Sequence, residues 1–221
     1  IVLAHETLKW EVTAEQSAQR KSDLDAQSLH AQLAYLVQHY QQDTPQQIPL
    51  GKYDIVFGAA ATAEMLTMFN YIAFNGGLMK RGYAFTKEDQ IGKHIFSDLF
   101  SLTDDPAVAQ TYPFPTDLFG IQRKPFTIIQ NGIFKAYTWS QDDADEFNAQ
   151  ATGHTVPHIS LTMSGGTHEV DSLQELVSQN HGRDILYIPF LHYMNLVNPS
   201  QGVFTASSRF GALLIKQDGN V

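Results

Sequence analysis

IVFGAAATAEMLTMFNYIAF, residues 55–74, reads as a short buried strand, a turn and a helix. Ile55, Val56 and Phe57 form an apolar run bounded by Gly58, the signature of a strand inside a core. Beyond the turn, Ala61, Met65, Met68, Phe69 and Ile72 recur at steps of three and four, which is one apolar face of a 3.6-residue period. A helix entered from a buried strand is well placed to line a site. The chemistry to look for on it is a pair of zinc-binding His with a base between them. The stretch holds no such pair.

Working outward, Ala4–Val12 alternates apolar and polar residues and predicts one strand. Leu29, Leu33, Leu36, Val37 and Tyr40 predict a helix over 25–40, with Asp25 or Ser28 able to cap it. On the other side, Asn75-Gly76-Gly77 predicts the end of the central helix, since glycine takes the left-handed conformation of a C-cap. An extended run is expected over Ile91–Thr103, then a turn at Asp104-Asp105-Pro106. Pro125–Tyr137 flanks Asn131-Gly132, the pair a type I′ hairpin turn prefers. Short helices are expected over 142–149 and 172–179, the second with Asp171 or Ser172 at its N-cap and Glu175 able to complete a capping box. Strands are expected over 184–195, 203–207 and 210–216. Together these elements predict an α+β fold, mainly antiparallel sheets with a few packed helices.

The 221 residues are 43% hydrophobic and 17% charged, an ordinary globular balance. A formal charge of −9, from 14 Lys and Arg against 23 Asp and Glu, argues against a nucleic-acid partner held through phosphates. Cysteine is absent, which excludes disulfides, thiolate nucleophiles and Cys-ligated zinc within these residues and fits a cytoplasmic protein. No apolar run approaches the roughly 20 residues that span a bilayer. The chain starts at Ile1 inside an expected strand, as a fragment or processed form would.

Residue spacing yields no catalytic set. His154 and His158 stand four apart with His168-Glu169 nearby, and on a helix such a pair could hold zinc. Gly153, Thr155 and Pro157 oppose a helix there, so a structural or solvent role is favoured over a metal site at His154, His158 and His168. The G-x-S-x-G elbow, the G-x-G-x-x-G fingerprint and the P-loop are absent. Asp104 and Asp105 precede a proline and are expected to cap the turn. Asp142, Asp143, Asp145 and Glu146 fit a solvated helix start.

The order of short segments resembles the C-terminal domain of the TldD/PmbA family, the modulators of DNA gyrase that are similar to metallopeptidases. Tyr53–Phe57 with Ala59-Ala60-Ala61 resembles its strand and alanine-rich helix. Gly92–Ser97 with Leu102-Thr103-Asp104-Asp105-Pro106 resembles its "GxxVxS…TIxDDP" run, and Ile129–Tyr137 its "IENGxLxGY" hairpin. Ala151–His154 resembles its "TGNA" loop. His192–Asn195, Asn198-Pro199, Gly202 and Arg209–Ile215 resemble its closing strands.

The resemblance implies residues 1–50 as the end of a preceding N-terminal region and 51–221 as the C-terminal domain. It also implies two kinds of subunit. The TldD-like one carries H-E-x-x-x-H on the central helix and binds zinc; the PmbA-like (TldE-like) one lacks it and pairs with the first. Those six positions fall near Thr67-Met68-Phe69-Asn70-Tyr71-Ile72, where no ligand or base stands. The expectation is a metal-free subunit, with no catalytic residue, metal ligand or cofactor of its own. It would act on peptides beside a TldD-like zinc-carrying subunit or as a self-associated dimer, with an extended substrate added along a sheet edge. A divergent peptidase with a displaced site and a stand-alone peptide-binding domain are the alternatives.

Overall fold

The computed structural model describes residues 1–42, 45–111, 114–154, 160–179 and 182–221. They form two compact units: Ile1–Met65 with Glu169–Met194 and Ala206–Val221, and Leu66–His168 with Asn195–Thr205.

The first unit opens with a hairpin, β1 (Val2–His5) and β2 (Trp10–Thr13), where one strand was expected. Alternation alone does not distinguish a strand from a tight hairpin. Here residues 6–9 turn, Lys9 takes φ 57° and its N–H donates to His5 O at 2.9 Å. Helix α1 (Ala26–Gln42) follows as expected. Asp25 caps it, its Oδ1 accepting from the backbone of Gln27 and Ser28 at 3.0 Å each. The α1 stripe packs with Trp10, Val12 and Leu213.

β3 (Asp54–Phe57) leads into α2 (Ala59–Ile72) as expected, but β3 is not buried. It lies at the edge of a three-stranded sheet with β8 (Ile185–Ile188) as its one neighbour among the described residues, which leaves Ile55 44% exposed. β3 runs parallel to β8, and β11 (Leu213–Ile215) antiparallel to it. Leu176, Val177, Ile185 and Ile215 close the core on one side, from α5 (Leu173–Ser178) and the sheet. Ala61, Ile188 and Leu191 form a further cluster with Phe57 and Met65. The run expected over 184–195 is interrupted at Pro189, which has no N–H to donate. β9 (Phe190–Asn198) then pairs with β10 (Val203–Arg209) in a two-stranded ribbon.

Tyr40, on α1, donates to Ala212 O at 2.7 Å, and burial pushes its phenol from the ordinary 10 up to about 12. Burial pushes Tyr187 up as well. The unfolded phenol loses its proton near pH 10 while the folded one keeps it, so stability falls as pH rises through this window, from 10 to about 12. Tyr40→Phe is expected to flatten that alkaline decline while costing about 1 kcal/mol at neutral pH for the lost hydrogen bond. Denaturant midpoints between pH 8 and 12 on both proteins check it.

The second unit is built on the sheet β6-β5-β4-β7. β4 (Ser101–Asp104) lies between β5 (Phe126–Gln130) and β7 (Leu161–Ser164), antiparallel to both, and β5 turns back into β6 (Ile133–Phe134). The turn has Asn131 at φ 47° and Gly132 at φ 75°, the expected type I′ geometry. Of the extended run expected over Ile91–Thr103, only Ser101–Thr103, the first three residues of β4, is strand. The preceding residues instead wrap the hairpin turn: Ile95 and Phe96 N–H both donate to Gly132 O at 3.1 Å, and Gly132 N–H to Phe100 O at 2.9 Å. Phe74, Leu102, Ile128, Ile129, Phe134 and Tyr137 form the core.

Asn75-Gly76-Gly77 also departs from expectation. It does not supply a left-handed cap but starts α3 (Gly76–Lys80), with Asn75 Oδ1 accepting from Leu78 N–H at 2.8 Å. The glycines are needed for close approach. A Cβ on Gly76 would stand 2.3 Å from the Trp139 ring, and one on Gly77 2.2 Å from the Asp143 carboxyl carbon. Asp143 belongs to α4 (Gln141–Phe147), capped by Ser140.

Candidate functional site

Two places in the second unit bear on function. The first is the C-terminal half of α2. Thr67, Met68, Phe69, Asn70, Tyr71 and Ile72 offer no imidazole, carboxylate or thiolate, so they do not fit a zinc ion. Leu66 and Phe69 pack on the unit's core, Ile72 is 1% exposed, and the expected stripe therefore serves packing. Asn70, outside the expected stripe, is buried with both amide atoms lacking a hydrogen-bond partner among the described residues.

The second place is a charged cluster that spacing did not announce. Asp104 ends β4 with its carboxylate turned inward. Its Oδ1 accepts from Arg123 Nη2 at 2.7 Å and from Ser160 N–H at 2.6 Å. His154 Nδ1 stands 2.9 Å from Oδ2, a charge-pair distance without hydrogen-bond alignment. Phe126 stacks on the imidazole with ring centroids 5.0 Å apart. Gly153, at φ 72°, brings its loop against Arg123: a Cβ there would lie 3.2 Å from Arg123 Cγ. None of the three ionisable side chains exceeds 2% exposure. Closed to solvent, the cluster can fix loops on β4 but does not meet a substrate as it stands.

The turn-capping role expected for both aspartates therefore holds for Asp105, whose Oδ1 accepts from Ala107 N–H at 2.9 Å, and not for Asp104. Of the displaced-site histidines, His154 is in the buried cluster, His168 is exposed, and His158 lies outside the described residues. Among the described residues no three His, Asp or Glu side chains gather where they could hold a metal ion.

Residues 50–220 match the family model of the PmbA/TldA metallopeptidase C-terminal domain. The chain belongs to the PmbA/TldD family. A comparison with curated protein sequences returned no match. Among solved structures, TldE from Thermococcus kodakarensis is similar, with 21% identity, 92% of this chain and 46% of that one covered, and a TM-score of 0.69. A protein from Thermotoga maritima described as a candidate modulator of a DNA gyrase gives 19%, 94%, 46% and 0.70 in the same order. One of like description from Bacteroides thetaiotaomicron gives 20%, 90%, 43% and 0.68. At these identities the likeness is one of fold, and it bears out the α+β expectation for a PmbA/TldD chain. The chain spans less than half the length of the structures it matches. Among the described residues no helix is long and apolar enough to cross a membrane.

Proposed function

We propose that the chain is the C-terminal part of a metal-free, TldE-like subunit in a TldD/PmbA-type peptidase assembly, one that acts on peptides in the cytoplasm beside a zinc-carrying TldD-like subunit. In this reading residues 1–50 end a preceding region and 51–221 form the family domain. The observation that carries it is the side-chain set on α2. Thr67, Met68 and Ile72 stand where the family resemblance sets the ligands and base of H-E-x-x-x-H, and none can bind zinc or move a proton from water near neutral pH.

The similar structure described as TldE supports the same choice of subunit. The acidic surface favours a polypeptide over DNA as the molecule handled. A displaced metal site draws less support, because His154 is enclosed with Asp104 and Arg123.

Metal analysis of the full protein, purified without chelator, tests the reading. Substoichiometric zinc that Ala at His154 and His158 leaves unchanged is the expected result. Near-stoichiometric zinc lost in those variants would instead establish the displaced site.

A further inference from the structure

The β1–β2 hairpin has a packed strand and a bare one. On β2 and just beyond it, Trp10, Val12 and Ala14 lie in the core with Leu33 and Leu36 of α1. Opposite residues of an antiparallel pair share a face, so Ile1, Leu3 and His5, which stand across from Ala14, Val12 and Trp10, carry that core face onto β1. The burial does not follow. Val12 is 0% exposed, Leu3 41% and Ile1 65%.

The backbone is open at the same edge. Ile1 and Ala14 exchange N–H···O bonds at 3.0 and 3.2 Å, and alternation puts the next such rungs at Leu3–Val12 and His5–Trp10. Both backbone groups of Val2 and of Ala4 therefore face away from β2, where no further strand pairs among the described residues. Residues 1–4, Ile-Val-Leu-Ala, carry none of the charges or prolines that protect an exposed edge. Two strands with one of them bare on edge and face make an unfinished sheet.

Three observations choose what completes it. The bare strand lies in residues 1–49, ahead of the match to a C-terminal domain over 50–220. The likeness to the Thermotoga maritima structure covers 94% of this chain, more than residues 50–221 alone supply, so it runs into residues 1–49, and it takes up only 46% of that protein. Finally, a four-residue edge with two apolar side chains beneath it offers far less than the roughly 800 Å² per partner that a stable association of separate chains buries. A segment of the same chain needs no such area, because docking costs it little translational and rotational freedom.

We propose that a strand from the region preceding residue 1 in the full protein adds to the outer edge of β1, pairing with Val2 and Ala4 and laying apolar side chains beside Ile1 and Leu3; this rests on the reading of residues 1–50 as the end of such a region. Amide hydrogen exchange at single-residue resolution tests it, on the full protein with no other subunit present. Leu3 N–H, which faces β2, is the internal standard. The expected result is Val2 and Ala4 N–H exchanging within about tenfold of the Leu3 rate at both high and low protein concentration. A photocrosslinking side chain placed at Val2 is expected to join residues before residue 1 of the same molecule. Val2 and Ala4 N–H exchanging as in an unstructured peptide would overturn the covered edge and leave the metal-free subunit, which zinc analysis tests, standing. Crosslinks to a second copy, with protection that grows with concentration, or to any other part of the chain would overturn the choice of occupant. A full protein with no region before residue 1 would overturn the inference together with the reading it rests on.

Discussion

Asp104→Ala is expected to lower the unfolding free energy by about 3–5 kcal/mol, enough to leave little folded protein at 37 °C if the domain is of ordinary stability. The size follows from what remains behind. Arg123 has no exposed side-chain surface, and its partner carboxylate would be gone, so a cation would stay in the interior without compensation. The Ser160 N–H would lose its acceptor as well. Arg123 Nε already lacks a hydrogen-bond partner among the described residues, so the substitution adds to an existing shortfall of acceptors for the guanidinium. Asp104→Leu combined with Arg123→Met removes both charges and is expected to recover part of the loss, the remainder being the orphaned Ser160 N–H. Urea midpoints of the three variants check this. A double variant no more stable than Asp104→Ala would contradict the buried-charge account.

Gly76→Ala is expected to destabilise by about 3 kcal/mol, the upper range for overpacking. Ordinarily the exchange of glycine for alanine within a helix stabilises by about 1 kcal/mol, so the sign itself is diagnostic. The new methyl would lie 2.3–2.6 Å from three carbons of the Trp139 indole. That ring cannot simply rotate away: Trp139 is packed against the unit's core, and its backbone N–H donates to Thr152 Oγ1 at 3.0 Å. The backbone of Gly76 is held too, since its N–H donates to Thr138 O at 2.9 Å. Gly77→Ala meets the carboxylate of Asp143, the end of a side chain that can move, and is expected to cost less while loosening the 2.8 Å Arg81–Asp143 ion pair. Thermal unfolding of the two variants orders them. Equal or stabilising effects at Gly76 would show that α3 and Trp139 are not packed as described.

Local rules carried much of the fold. Helix α1 was legible because its stripe and its cap, Asp25, lie within one stretch of chain. The Asn131-Gly132 hairpin was legible because two adjacent residues with positive φ define it. The cap at Ser172 sits three residues from the N–H group it accepts from. What spacing missed depended on distant partners. Gly76 and Gly77 look like a helix stop until Trp139 and Asp143 are brought against them. Asp104 looks like a turn cap until its partners arrive from 19 and 56 residues away in the chain. Arg123 gave no local signal at all, being one half of an Arg-Lys pair in a loop.

The candidate site was legible in an inverted sense. The family resemblance located the helix positions where ligands stand in a zinc-carrying relative, and the apolar stripe there already read as packing. The structure adds that Leu66, Phe69 and Ile72 are engaged in or near the core. The resemblance could not supply the buried cluster, because it depends on side-chain orientation.

The most direct measurement is peptide hydrolysis by the full chain alone, by an H-E-x-x-x-H-bearing subunit alone, and by the two together, with and without a zinc chelator. The account predicts no hydrolysis by this chain alone and chelator-sensitive hydrolysis by the mixture. Chelator-sensitive hydrolysis by this chain in isolation would contradict it.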